Sequence, residues 1–297
     1  MSSPHWARNH HTLATAALVG VTAVWGGTFV VVQDSVEQMP VQPFLFWRFA
    51  LATVVLALLR PRAVLELDPV ARRHGVLLGL MLGTGYVAQT FGLLHTSATI
   101  SGFITGMFVV FTPLIGWLAL RQPITPPVWA GVGLATVGLG LLSLNGFAIG
   151  FGELLTLVCA ASFAAHIVGL GHWSTSSRAY GLTVLQLGVV ALVCLVTSPL
   201  QGGLVLPPSG GVWAAIVFLA LAATALAFLA QTWAQTYMSA PRAAIVLTLE
   251  PVFAGIFGVT LGGDTLTARI LVGGACIVAA MYVVELGPRY YARPVRT

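Results

Sequence analysis

The sequence predicts an all-α integral membrane protein, with ten transmembrane helices arranged as two inverted five-helix repeats. Three observations carry that expectation. Only 7% of the 297 residues are charged, while 58% are hydrophobic. Apolar stretches follow one another through the chain, each of about 20 residues, the helical length that crosses a hydrocarbon core roughly 30 Å thick. Lastly, polar residues of the first half recur in the second at a constant offset of 142 positions.

The expected spans are 12–32, 43–59, 75–94, 101–120 and 126–145, then 150–170, 180–199, 211–236, 243–261 and 268–286. The first follows Arg8 and is too long for a signal-peptide core, so it reads as a retained helix. Met39-Pro40 separates it from the second, and Arg60, Arg62, Arg72 and Arg73 separate the second from the third. Arg121, Gln122 and Pro123 close the fourth, and Arg178 lies between the sixth and seventh. Pro207-Pro208-Ser209-Gly210 precedes the eighth, Arg242 the ninth, and Gly262-Gly263-Asp264 the tenth. Such Pro, Gly and polar clusters punctuate apolar helices.

Arginine placement sets the orientation. Arg8, Arg60, Arg62, Arg72, Arg73, Arg121, Arg178, Arg242, Arg289, Arg293 and Arg296 fall on one side, against Arg269 on the other with Asp34, Glu37 and Asp264. Both termini are therefore expected in the cytoplasm, in a multi-pass protein of the inner or plasma membrane. The tails are 1–11 and 288–297, the repeats 12–146 and 147–287, with no soluble domain or long linker. The net charge of +5 comes from short-loop arginines, with no Lys at all, and reads as topology rather than a nucleic-acid footprint. Cys159, Cys194 and Cys276 lie in apolar spans without metal-ligand spacing and are expected as small packing residues.

The offset of 142 places Ala88-Gln89-Thr90-Phe91 on Ala230-Gln231-Thr232-Trp233, Ser97-Ala98 on Ser239-Ala240, Gly116 on Gly258, Thr125 on Thr267 and Gly131 on Gly273. An odd number of helices per copy turns the second copy upside down, the architecture of alternating-access carriers. Pro113 and Pro251 break the register by one helical turn, and each removes a backbone hydrogen bond, framing either a cavity or a structural kink.

Trp25-Gly26-Gly27-Thr28-Phe29, Trp47-Arg48-Phe49, the stretch from Thr96-Ser97-Ala98 through Gly102-Phe103-Ile104-Thr105-Gly106 to Pro113, and Leu249-Glu250-Pro251 together resemble the drug/metabolite transporter superfamily, specifically its EamA-type ten-helix carriers. The likeness covers about residues 12 to 287. It implies two inverted five-helix bundles around a central cavity and activity as a carrier, most often an exporter, of amino acids, metabolites or drug-like compounds. Members usually carry Gly-Glu after the fourth and ninth helices, where this chain has Arg121-Gln122 and Gly263-Asp264. That departure concerns topology and folding rather than substrate.

Ionisable residues at membrane depth are costly, which makes each a candidate site residue. Glu250, about 10 Å into the ninth span by helical rise, could exchange a proton, meet a cationic solute, or lock helices as a protonated or Arg-paired acid. Arg48 lies near the outer end of the second span. It could grip a substrate carboxylate, snorkel to the headgroups, or pair with a backbone carbonyl. Gln89 with Thr90, and Gln231 with Thr232, occupy equivalent places in the two halves. With Tyr86, Phe228 and Trp233 they suggest either an aromatic-walled cavity with neutral hydrogen-bonding points or interhelical glue. Trp25 precedes Gly26-Gly27, which allow close helix approach or local unwinding. His166 is a proton-relay candidate or a satisfied packing residue. Gly79xxxGly83, Gly102xxxGly106 and Gly258xxxGly262 have the spacing of tight helix contacts.

The candidate solute-binding or coupling set is therefore Glu250, Arg48, Gln89, Gln231, Tyr86, Trp25, Thr232 and His166, with no catalytic residue and no metal or cofactor. The expected partners are a small-molecule solute, the lipid bilayer and a coupling proton, with a homodimer as the assembly state to test. Enzymatic alternatives lack their motifs: HExxH, Gly-x-Ser-x-Gly and paired intramembrane aspartates are all missing. A channel would want rings of like polar groups along one path. A proton-coupled multidrug efflux carrier is the nearer alternative, although the first span holds no acid.

Overall fold

A computed structural model describes residues 5–121, 126–145, 148–238, 243, 246–247 and 249–291. The described chain is helical apart from one two-residue antiparallel hairpin, β1 (Leu144–Asn145) with β2 (Ala148–Ile149). The helices are α1 (His5–Val36), α2 (Val41–Leu59), α3 (Pro69–Leu93), α4 (Ala98–Thr105), α5 (Phe108–Leu120), α6 (Pro126–Ser143) and α7 (Phe151–Trp173). They continue with α8 (Ala179–Thr197), α9 (Gly210–Ala220), α10 (Ala227–Ala234), α11 (Leu249–Thr260) and α12 (Ala268–Tyr291). A 3₁₀ turn at Ser198–Gln201 follows α8, and a π-helical turn at Leu221–Leu226 joins α9 to α10.

Among the described residues, seven segments are long and apolar enough to cross a membrane: Thr12–Val36, Val41–Leu59, Pro69–Leu93, Ala98–Leu120, Phe151–Trp173, Ala179–Gln201 and Gly210–Ala234. Three further apolar helices are shorter, Pro126–Leu141, Leu249–Thr260 and Ala268–Val283. Local signals start several of them. Asp68 accepts from the Ala71 N–H ahead of α3, whose first residue is Pro69, and Ser97 and Ser209 accept from the N–H groups of Ile100 and Val212. Gly202 and Gly203 take φ values of 91° and 94° after the 3₁₀ turn, a conformation glycine adopts without a Cβ penalty.

Two spans depart from the continuous helices expected. The fourth breaks at Gly106-Met107, where Met107, Val109 and Val110 bond back three residues rather than four. The ring of Pro251 lies 2.9 Å from where a Gly106 Cβ would stand. The eighth carries the π turn, an extra residue per turn that rotates the remainder of the span. The first helix also begins earlier than expected, at His5. The expectations for Gln122, Pro123, Thr125, Ser239, Ala240 and Arg242 lie outside the described residues.

The burial pattern is that of a protein dissolved in lipid. Leu58, Leu118 and Val196 are 74%, 77% and 69% exposed, while Thr22, Thr99, Ser101, Thr156 and Thr224 are fully buried. Small residues let the backbones approach. A Cβ on Gly102 would strike that of Ala254, one on Gly26 would strike that of Phe253, and one on Gly138 would lie 2.7 Å from the Gly273 carbonyl. These contacts join α4 to α11, α1 to α11 and α6 to α12. Gly26 thus serves close approach, and α1 stays helical through it.

Side-chain bonds sort the loops onto two faces. On one, Arg178 pairs with Asp68 at 2.6 Å and Ser176 donates to Thr236. On the other, Thr96 donates to Glu153, the Thr99 N–H donates to Asp264 at 2.8 Å, and the Gln42 N–H donates to Gln201. Two apolar cores lie between the faces. One joins α2, α3, α8 and α9, the other α5, α6, α7 and α12, and Trp25 and Phe163 pack against both.

Candidate functional site

A cavity opens where the two cores meet. Its wall is built from five parts of the chain: Trp25, Thr28 and Phe29 of α1; Leu82, Tyr86 and Gln89 of α3; Phe163, His166 and Ile167 of α7; Phe228 and Gln231 of α10; and Glu250 of α11, with Phe108 and Leu247. The spacings explain the shared faces, since Tyr86 and Gln89, Phe163 and His166, and Phe228 and Gln231 are each three residues apart. The cavity volume is about 40 Å³. That volume holds roughly three waters. The cavity is therefore narrow in this conformation.

Aromatic rings form its frame. Tyr86 makes edge contacts with Phe163 at 5.3 Å and Phe228 at 6.0 Å, and Trp25 stacks at a tilt on Phe228 at 5.1 Å. Neutral polar groups punctuate it. The Gln89 amide donates to Thr105 Oγ1 at 3.1 Å, and the Gln231 Oε1 is buried with no hydrogen-bond partner among the described residues. An unpaired buried carbonyl is costly, so it invites a donor from whatever enters. Glu250 follows Leu249 on α11 and is 6% exposed. No ion pair to it occurs within 4.0 Å among the described residues.

Six of the eight expected residues line this cavity: Glu250, Gln89, Gln231, Tyr86, Trp25 and His166. Two stand outside it. Arg48 is 2% exposed and does not snorkel. Its Nε donates to Thr224 Oγ1 at 2.8 Å, and its guanidinium lies over the rings of Tyr86 at 4.8 Å and Phe49 at 5.4 Å. Depth along α2 alone placed Arg48 near the headgroups; the connection after α8 covers that end instead, where the Trp47 indole donates to the Val205 carbonyl. Thr232 is fully buried behind the wall and accepts from the Gln186 amide at 3.4 Å. Trp233, also expected in the wall, packs on Tyr237.

Two polar contributors escaped the sequence. Gln186 on α8 meets His166 Nε2 at 2.6 Å and bridges it to Thr232, so His166 is both a wall residue and a satisfied one. Thr224 holds Arg48, and beside it the Ala223 carbonyl accepts the Trp25 indole N–H at 2.8 Å. Both acceptors belong to the π turn. Gln186 sits in an apolar span with no periodic signal, and a π turn has no local signature in Leu-Ala-Ala-Thr-Ala-Leu.

Comparison with known proteins fits this architecture. The model of the EamA-like transporter family matches residues 12–144 and again 150–286. The chain belongs to the EamA-like transporter family. An uncharacterized transporter of Archaeoglobus fulgidus is 32% identical over 92% of this chain and 86% of its own length. The uncharacterized inner membrane transporter YedA of Escherichia coli K12 is 26% identical, over 94% and 93% of the two chains. A probable terminal-alkyne amino-acid exporter of Streptantibioticus cattleyicolor is 24% identical, over 92% and 93%. One crystal structure superposes with a TM-score of 0.66 at 19% identity, covering 95% of this chain and 98% of the other, which supports the fold alone. This EamA-like chain is a multi-pass membrane transporter.

Proposed function

We propose that this transporter exports a small organic solute, an amino acid, metabolite or drug-like compound, by alternating access between two inverted five-helix repeats. The observation that carries the reading is the cavity itself. Residues separated by 142 positions both line it, Tyr86 with Phe228 and Gln89 with Gln231. Two copies of one bundle, rocking about such a site, would expose it to each side in turn. The inversion has independent support: α3 ends on the face that holds Thr96 and Asp264, whereas α10 ends on the face that holds Arg178.

Solute enters between the aromatic rings, its polar groups meeting Gln89, Gln231 and Glu250. Glu250 is the group that can carry a proton or balance a cationic solute, because it is the acid of the wall. A proton-coupled multidrug efflux carrier is the second reading, favoured by the ring-lined wall, which suits flat apolar cations.

Export from preloaded proteoliposomes, screened over amino acids and cationic drugs with and without a pH gradient, tests the proposal. Glu250→Gln should abolish the response of flux to the gradient, and Gln231→Ala should weaken it for polar solutes. Wild-type flux and pH response in both variants would remove the site assignment. Tag accessibility at residues 90 and 232 tests the inversion, which requires opposite orientations of their helices.

A further inference from the structure

The π turn sets the register in which α10 presents its residues to the cavity. Residues of an α-helix advance about 100° each, and a π turn accommodates one extra residue without that advance. If Leu221–Leu226 tightens to α-helical hydrogen bonding, everything after it rotates by about 100°, one residue's worth. Ala227 then takes the place of Phe228, and Ala230 the place of Gln231. Two alanines would replace a phenyl ring and an amide on the wall of a cavity that now admits only a few waters. Gln231 in turn moves to the position of Thr232, beside Gln186.

The present register is fastened from outside the helix. The Trp25 indole donates to the Ala223 carbonyl at 2.8 Å, and the Arg48 guanidinium donates to Thr224 Oγ1 at 2.8 Å. The first bond comes from a residue that lines the cavity, so a solute that moves Trp25 also loosens the turn. The second comes from the cation stacked behind Tyr86, another wall residue. The corresponding stretch of α3, residues 79–84, is continuous α-helix and packs through Gly79 against Val189 and the Gln186 carbonyl. The switch therefore belongs to the second half.

We propose that Leu221–Leu226 is a register switch for the solute cavity, closed as a π turn by Trp25 and Arg48 and opened as an α turn that exchanges Phe228 and Gln231 for Ala227 and Ala230. Arg48 is a positioning residue in this scheme. The inference rests on the reading of the cavity as the solute site, but its test needs no solute. In full-length protein in nanodiscs, with Cys159, Cys194 and Cys276 replaced by Ser, single cysteines at 230 and 231 report which residue faces the cavity. The probe is methanethiosulfonate ethylammonium. The labelling ratio of Ala230→Cys to Gln231→Cys should rise at least about tenfold in a Trp25→Phe, Thr224→Val background, which removes two buried hydrogen bonds, one of them from a charged donor. Deletion of Ala222 removes the extra residue and should hold the ratio at its starting value in either background. An unchanged ratio in the fastener variants, or an equal rise in the deletion, overturns the switch. Amide exchange in the unaltered protein is the second measurement. Residues 222–227 should exchange faster than the centres of α9 and α10, and equal protection overturns the switch as well. Absence of solute flux from the unaltered protein, with the labelling pattern as expected, would instead count against the transport reading.

Discussion

The guanidinium of Arg48 lies 4.8 Å from the centre of the Tyr86 ring, which puts a buried cation directly behind the wall of the cavity. Nothing among the described residues neutralises it within 4.0 Å. Its support is two ring faces, Tyr86 and Phe49, and the Thr224 hydroxyl, and all depend on its planar geometry.

Arg48→Ala should therefore act through Tyr86 and Thr224 rather than through direct solute contact. Loss of a desolvated cation–π contact and a charged hydrogen bond costs about 2–4 kcal/mol together. Thermal unfolding in detergent measures it, and a double-mutant cycle with Tyr86→Ala should show strong non-additivity. Additive effects would mean that the stacking is incidental.

Gly102→Val should impair assembly. The added Cβ runs into Ala254, which sits on α11 four residues past Glu250. Overpacking of this kind costs about 1–3 kcal/mol. The pair Gly102→Ala with Ala254→Gly should recover most of the melting temperature, because it exchanges the small partner across the same contact.

Asp68 gives a pH prediction outside the bilayer. The Ala71 N–H, and then the Arg178 guanidinium, hold its carboxyl below the usual carboxylate range. The folded value is depressed, so the stabilisation is present above the unfolded value of 3.8 and is lost as pH falls through the folded one. Corrected for the intrinsic pH dependence of exchange, the protection of amides in the first turn of α3 should be steady from neutral pH down to the unfolded value and fall as pH drops through the folded one. Asp68→Asn, which retains capping ability but not charge, should lose the Arg178 pairing with less fraying than Asp68→Ala.

Asp264→Ala should loosen the face opposite Arg178. The carboxylate receives the Thr99 N–H at the start of α4 and so ties the loop after α11 to the first half of the chain. Cysteine labelling of Thr28 from that side should become faster. No change would mean that the contact is not a closure point.

Much of this architecture was legible because a bilayer demands it. Hydrocarbon forces unbroken apolar helices, so the order of spans follows from hydropathy, and costly polar residues inside mark the cavity. Gln89, Gln231, His166 and Glu250 stand out that way, Tyr86 through its spacing from Gln89, and Trp25 through the glycines that follow it; all six line the cavity. The break at Gly106-Met107, the π turn and the position of Arg48 were not legible. Each is decided by a neighbour distant in sequence: Pro251 against Gly106, Trp25 on Ala223, and the cover over α2 from residues 201–205. Helical periodicity describes one helix at a time and cannot see them.

Phe103 carries a last consequence. Its ring lies 2.6 Å from where a Cβ on Gly274 would stand and 3.5 Å from one on Gly255, a key between α12 and α11. Those two helices are thereby yoked, and Glu250 has to travel with both. Evolution toward new cargo would find little freedom at 274, where an added methyl has to push the Phe103 ring aside, and more at 255, where one meets that ring at ordinary contact distance.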